Sequence, residues 1–254
     1  MTSPSPASRA EPTLRQGAER PAVLRVDNLS KRFGAFWALQ GASFSIRPGE
    51  ILGLIGPNGS GKTTLFECLA GLSPATVGTV THDGTLIGSD ERKQFLYFVP
   101  DGIRPFPDQT VDWILRFSAG VNGVRREYLT DVIDSLRLDV LRGARLGDLS
   151  KGEHRRVMLA VGLLTPQKLL MLDEPFDGLD LRQTRDVMGV LRNHAAVGRT
   201  LFLSIHQLGD ANRICDRLVL LSGGHVAGEG TLDELRSKAG LSEGGLEEVF
   251  LALT

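Results

Sequence analysis

The sequence predicts an α/β fold: a parallel sheet covered on both faces, with a helical segment inserted among its strands. Three observations carry that prediction. The near-continuous apolar runs ILGLIG, ending at Gly56, KLLMLD, from Lys168 to Asp173, and TLFLSIH, from Thr200 to His206, have the length of strands buried on both sides. A glycine-rich turn follows the first of them and leads into KTTLFECLAGL, which reads as a helix. Between the flanking strand–helix alternations, Leu129, Val132, Ile133 and Leu136 keep the i, i+3, i+4, i+7 spacing of an amphipathic helix, and Val111, Ile114 and Leu115 point to another before it.

In chain order, residues 1–21 are rich in Pro, Ser and Arg and lack an apolar core, so a disordered tail is expected there and a signal peptide is not. AVLRV and ASFSI, from Ala22 onward, read as strands. The helical insertion is expected over about 101–164, within a globular unit spanning 22–254. RLVLLSGGHVAGEG reads as two strands joined at SGG, Thr231 and Glu234 stand at capping-box spacing before a helix, and LEEVFLAL supplies the last helix. No internal repeat is visible. Of 254 residues, 41% are hydrophobic and 23% charged, an ordinary globular composition. Lys and Arg total 29 against 30 Asp and Glu, so no global field draws in nucleic acid, and none is expected as a partner. Cys68 and Cys215 stand far apart without CxxC company, which argues against a disulfide framework or zinc site and for two buried thiols in a reducing compartment. No apolar run approaches the ~18 residues of a spanning helix, so the chain is expected in the cytoplasm.

The chemistry is concentrated after the first apolar strand. GPNGSGKT, comprising Gly56, Pro57, Asn58, Gly59, Ser60, Gly61, Lys62 and Thr63, fits G-x-x-x-x-G-K-[ST] and stands where that pattern needs to be, between a buried strand and a helix. Its glycines let backbone N–H groups converge on an anion, Lys62 adds a mobile positive charge, and the helix N-terminus that includes Thr64 adds a partial one. Thr63 is placed to offer its hydroxyl to Mg²⁺. KLLMLDEP ends a second buried strand in Asp173 and Glu174, at the carboxyl edge where α/β sheets bind ligands. Asp173 suits the Mg²⁺ shell, and Glu174, one residue further, suits a water in line with a γ-phosphate. In isolation, two acids before Pro175 also suit a solvated turn.

LSKGEHRR, from Leu149, resembles the LSGGQ signature of the ATP-binding cassette (ABC) family and precedes the Asp–Glu strand at that family's usual interval. The resemblance spans about Val23 to Thr254 and implies a P-loop NTPase (RecA-like) core with an antiparallel β subdomain and an inserted helical subdomain. Read alone, Ser150 and Glu153 are a capping box opening a helix. The resemblance adds that Leu149, Ser150, Lys151, Gly152 and Glu153 face the γ-phosphate held by a second copy in a head-to-tail dimer, homo- or heterodimeric. Lys151 stands where the signature has Gly, and Glu153 where it has Gln. FDGLD resembles the D-loop and closes on Asp180. His206 resembles the switch histidine bridging γ-phosphate and Glu174, and Phe33, in KRFG, the aromatic stacked on adenine; a core-facing Phe33, or Trp37 in its role, are the alternatives. Asp101 stands where the family has a Gln that reaches Mg²⁺ and the attacking water. The segment after it, GIRPFPDQTVDWIL, resembles the surface that receives a membrane subunit's coupling helix.

The resemblance therefore implies an ATPase using ATP and Mg²⁺, with Glu174, His206 and Lys62 catalytic, that powers transport through a separate membrane-spanning permease at the inner face of the cell membrane. LEEVFLALT is similar to the ending of subunits serving drug, antibiotic or polysaccharide exporters. A soluble ABC ATPase acting on a ribosome or nucleic-acid complex is the alternative, although the interval from Thr63 to Leu149 leaves no room for the coiled coil common in that class. A nucleotide kinase or GTPase with the same loop is disfavoured by the signature and His206.

Overall fold

The computed structural model describes residues 23–254; the tail expected over residues 1–21 lies outside them. A long hairpin comes first, β1 (Leu24–Phe33) and β2 (Phe36–Ile46), then β3 (Ile51–Ile55) and, past the glycine loop, α1 (Lys62–Ala70). Next come β4 (Val77–His82), β5 (Thr85–Leu86) and β6 (Leu96–Val99). Helices α2 (Val111–Val121), α3 (Arg126–Ser135) and α4 (Lys151–Leu163) separate β6 from β7 (Leu169–Asp173). The chain continues through α5 (Leu181–Ala196), β8 (Thr200–Ile205), α6 (Leu208–Ile214), the hairpin β9 (Arg217–Ser222) and β10 (His225–Gly230), α7 (Leu232–Lys238) and α8 (Leu246–Leu253).

Two sheets result. An antiparallel sheet runs in the order β2-β1-β4-β5, and a second sheet runs β10-β9-β3-β8-β7-β6, parallel throughout except for the β10 edge. The unbroken apolar character of the inner strands has a simple cause. Ile51 and Ile55, Leu170 and Leu172, and Leu201, Leu203 and Ile205 point into the core shared with α2 to α6, whereas Leu52 and Leu54, Leu169 and Met171, and Phe202 point into the core shared with α1 and the antiparallel sheet. Both faces are covered, so both sets of alternating positions are apolar, with Thr200, Ser204 and Asp173 the polar residues at or near the strand ends. On the α1 side Phe202 lies between Phe66 (ring centroids 4.8 Å) and Phe44 (5.5 Å), contacts contributing about 0.5–1.5 kcal/mol each beyond their buried area.

The predicted helices form with the predicted residues inward: Val111, Ile114 and Leu115 of α2, and Val132 and Ile133 of α3, are buried. The helical segment is shorter at its start than expected, because residues 101–110 are turn and loop. Helix α2 begins only where the Thr110 side chain can accept a hydrogen bond from Trp113 N–H (3.2 Å) and cap it. The two cysteines also differ. Cys68 is fully buried, whereas Cys215, just past the end of α6, is half-buried, with its Sγ turned inward against Gly53. No helix among the described residues is long and apolar enough to cross a membrane.

Candidate functional site

Adjacent strands β3, β8 and β7, together with β6 beyond them, bring their carboxyl ends to one edge of the sheet, and every expected phosphate-site residue of this chain collects there. Beyond β3, Gly56 admits no side chain: a Cβ would lie 2.3 Å from Leu221 O and 2.5 Å from Ser60 Oγ. Gly61 combines the left-handed φ of +104° with a carbonyl, Ala38 O, only 2.6 Å from where its Cβ would stand. These two close approaches set the curve of the loop. Lys62, the first residue of α1, folds its ammonium back over that curve onto Gly56 O (2.7 Å) and Pro57 O (3.2 Å). It is 8% exposed, and no ion pair joins it to an acid among the described residues. Its ammonium is thus buried against neutral carbonyls, an arrangement that favours an anion as an added partner.

Thr63 Oγ1 donates to Asp173 Oδ2 (3.2 Å), linking the loop to the end of β7. The other Asp173 oxygen accepts the Ser204 hydroxyl of β8. Glu174 leaves the strand at the positive φ of +51°, its N–H shared between Ser204 Oγ (3.0 Å) and Ser204 O (3.2 Å). Its carboxylate thereby meets His206, whose Nδ1 lies 2.5 Å from Glu174 Oε2. Thr63 and Asp173 form an all-oxygen pair beside a phosphate-shaped loop, a donor set that suits Mg²⁺ completed by phosphates and water.

Two clefts open on this edge. One, of about 660 Å³, is lined by Phe33, Asn58, Gly59, Lys62, Thr63, Thr64, Asp173 and Glu174, and Phe36 joins Phe33 on its wall. Phe33 is 49% exposed at the tip of the β1–β2 hairpin, not core-facing, while Trp37 stands outside the cleft beneath the Arg32 guanidinium, 5.4 Å from its ring. The other cleft, about 590 Å³, is lined by Gly56, Pro57, Asn58, Asp101, Glu174, Asp177 and His206. A larger cleft of about 860 Å³ lies near the opposite strand ends, around Val23, Lys168 and Thr200, and contains none of these residues.

The signature residues start α4. Ser150 Oγ accepts from Glu153 N–H (3.3 Å) while Glu153 Oε2 accepts from the Ser150 hydroxyl (2.7 Å) and N–H (2.9 Å), the expected capping box, and the Ser150 hydroxyl and N–H hold the Glu153 carboxyl below its ordinary range. Gly152 has no room for a Cβ, which would lie 2.6 Å from Gly178 O. Asp180 caps α5, its Oδ1 accepting from Gln183 N–H (2.8 Å). Asp101 pairs with Arg155 of α4. Sequence reasoning overlooked Arg155, Ser204, Asp177 and Phe36. Ser204 had a signal, since it is the lone polar residue between Leu201 and Ile205; Arg155 and Asp177 lie within LSKGEHRR and FDGLD, but nothing in those motifs pointed to their ion pairs.

A family model described as ABC transporter matches residues 39–177. The chain belongs to the ABC transporter family. It is similar to an uncharacterized ABC transporter ATP-binding protein of Methanocaldococcus jannaschii, at 32% identity over 85% of this chain and 80% of that one. Against Nod factor export ATP-binding protein I of Burkholderia orbicola the identity is 35% over 80% of this chain and 69% of the relative. Among solved structures, an ATP-binding subunit of an ABC transporter superposes with a TM-score of 0.83 at 30% identity, covering 91% of this chain and 99% of the other. This ABC chain is therefore an ATP-binding subunit, and its family hydrolyses ATP.

Proposed function

We propose that this ABC subunit drives export through a separate membrane-spanning permease, bound at the inner face of the membrane as one half of a homo- or heterodimer of cassettes. The cassette would span 22–254, with its helical subdomain at about 101–164. The observation that carries the reading is the contact of Glu174 with His206 beside the two clefts that the Gly56–Thr64 loop borders, Glu174 lining both. Export is supported by the name of the Nod factor export relative and by the C-terminal helix pattern.

The backbone N–H groups of Gly59 to Thr64 bind the β- and γ-phosphates, and Lys62 exchanges its two carbonyl partners for phosphate oxygens. Phe33, with Phe36, offers aromatic faces to adenine. Thr63 and Asp173 would hold Mg²⁺, which supplies neutralisation of the charge developing on the phosphate oxygens. Glu174 receives a proton from the attacking water as that oxygen bonds to the γ-phosphorus and the bond to the β,γ-bridging oxygen breaks. His206 fixes the carboxylate and lies toward the γ-phosphate. Ser150 and Gly152 reach the phosphate of the opposing copy, with Leu149, Lys151 and Glu153 shaping that helix start and Asp180 lying at the interface. Asp101 borders the attacking water.

Glu174→Gln keeps the side-chain shape but cannot take the proton. Turnover should fall by about 10²–10⁴-fold while ATP affinity stays within a few-fold, measured as phosphate release and equilibrium nucleotide binding. Undiminished turnover in that variant refutes Glu174 as the base.

A further inference from the structure

The two clefts are crowded with acid. Glu67, Asp101, Asp173, Glu174 and Asp177 all line one or both of them, and only Lys62 and His206 are basic among the lining residues. A tetra-anionic triphosphate entering such a site would be repelled unless some of these carboxylates were neutralised from behind. Two of them are. Arg155, a buried residue of α4, gives one guanidinium nitrogen to Asp101 Oδ1 and another to the main-chain oxygen of Asp173 (3.2 Å). One helical turn earlier, Lys151 Nζ pairs with Asp177 Oδ2 at 2.5 Å, and its stem lies on Gly178, where a Cβ would come within 2.8 Å of Lys151 Cγ.

Lys151 and Arg155 are four residues apart and so share a face of α4, and that face is turned toward the acids. The Asp177 carboxyl is held below its ordinary range first by the Lys151 hydrogen bond. The two positions at which this chain leaves the signature and glutamine patterns most sharply, Lys151 and Asp101, are thus both charged, and each is met by a residue of opposite sign. The Asp101 carboxylate is met by Arg155, and the Lys151 ammonium by Asp177.

We propose that Lys151 and Arg155 form an electrostatic clasp: from the first turns of the signature helix they cancel the charge of Asp177 and Asp101, and so let a site with five carboxylates accept a polyphosphate. They are positioning residues, acting on nucleotide through the acids they hold. Arg155 carries most of the effect because it is buried, whereas the Lys151 pair is solvent-screened. The clasp also ties the start of α4 to the end of β7 through the Arg155 hydrogen bond to Asp173 O.

This inference rests on the nucleotide reading of the pocket, and the test separates the two. The probe is β,γ-imido-ATP, titrated calorimetrically into the full chain with Mg²⁺ and again with EDTA, with the thermal midpoint of each variant recorded alongside. Arg155→Gln should weaken binding roughly tenfold in both conditions, the effect of one uncompensated carboxylate near the phosphates. Asp101→Asn leaves the Arg155 charge unpaired and should tighten binding a few-fold, and Arg155→Gln combined with Asp101→Asn should return it to within about twofold of the parent's. Lys151→Gln should give a smaller loss, restored by Asp177→Asn. Arg155→Lys keeps the charge and should keep binding within about threefold, which tests the clasp even where Arg155→Gln is too unstable to assay. A loss that persists in the double variant, or no loss in Arg155→Gln, overturns the clasp alone. A parent that binds no β,γ-imido-ATP overturns the pocket reading, and the clasp falls with it.

Discussion

Glu174 has a backbone conformation that a non-glycine residue adopts at a cost on the order of 1–3 kcal/mol, and the structure keeps it there by offering its N–H two acceptors on Ser204. Such strain turns the carboxylate away from the line of β7 and toward His206. The sequence shows the acid and the histidine plainly, but not the serine's part in the arrangement, because a single hydroxyl inside an apolar strand is also compatible with a satisfied core position. A second histidine is legible in no motif. His194, in the last turn of α5, lies against Tyr128 of α3 (ring centroids 6.3 Å) and near Arg199. Burial first, and the Arg199 charge second, bring its pKa down from 6.5 to about 4. The unfolded chain therefore takes up a proton between those values that the folded chain refuses. That part of the stability is complete above pH 6.5 and is lost as pH falls toward 4. Between pH 7.5 and 5 the unfolding free energy should drop by on the order of 2 kcal/mol more in the wild type than in His194→Gln, as read from urea midpoints. Equal pH dependence in the two proteins would contradict this account.

Elements were legible wherever burial wrote a pattern into the sequence. Strands β3, β7 and β8 appear as apolar runs because both faces are covered, and the starts of α4 and α7 appear as capping boxes because their partners lie three residues apart. What joins the elements left no local trace. Arg217, at the start of β9, donates to Glu50 Oε1 (3.1 Å) ahead of β3, 167 positions away, and to Glu229 Oε1 of β10 (2.5 Å). Glu229 in turn accepts Ser45 N–H and Oγ–H of β2, both at 3.0 Å, so one buried guanidinium clips the antiparallel sheet to the parallel one. Burial pushes the Glu50 carboxyl upward, opposed by the Arg47 N–H and by Arg217. Removing the arginine strands these acids. Arg217→Met should cost about 3–5 kcal/mol in denaturant unfolding, and adding Glu50→Gln should recover part of it. A loss below about 1 kcal/mol would show that the junction is held by its apolar contacts alone.

On the proposed transport reading, nucleotide chemistry has to be felt by the permease, and the loop after β6 is the candidate link. It begins at Asp101, beside Glu174, and runs to an exposed aromatic stack: Phe106 against Trp113 (ring centroids 5.4 Å) and Trp113 flat on Phe117 (5.0 Å, 5° between planes). Phe106 and Phe117 are 52% and 49% exposed, with Ile103 beside them in sequence at 40%. Aromatic surface of this kind, unpartnered within the described residues, marks a contact site. Its residues were legible only through resemblance, since their spacing alone also suits a solvated loop; the stacking, which no periodicity encodes, is what distinguishes it. Trp113 stands three residues after the Thr110 cap, where an acidic side chain favours the helix and offsets part of the lost ring contacts, so Trp113→Asp should lower the melting temperature by only about a few degrees and leave ATP affinity nearly unchanged. Placing a charge in the centre of an apolar interface should nonetheless weaken permease binding at least tenfold, and with it any permease-stimulated ATP turnover. Membranes carrying the cognate permease, titrated with wild type and Trp113→Asp, measure both quantities. Equal retention and equal stimulation would place the membrane contact elsewhere on the cassette.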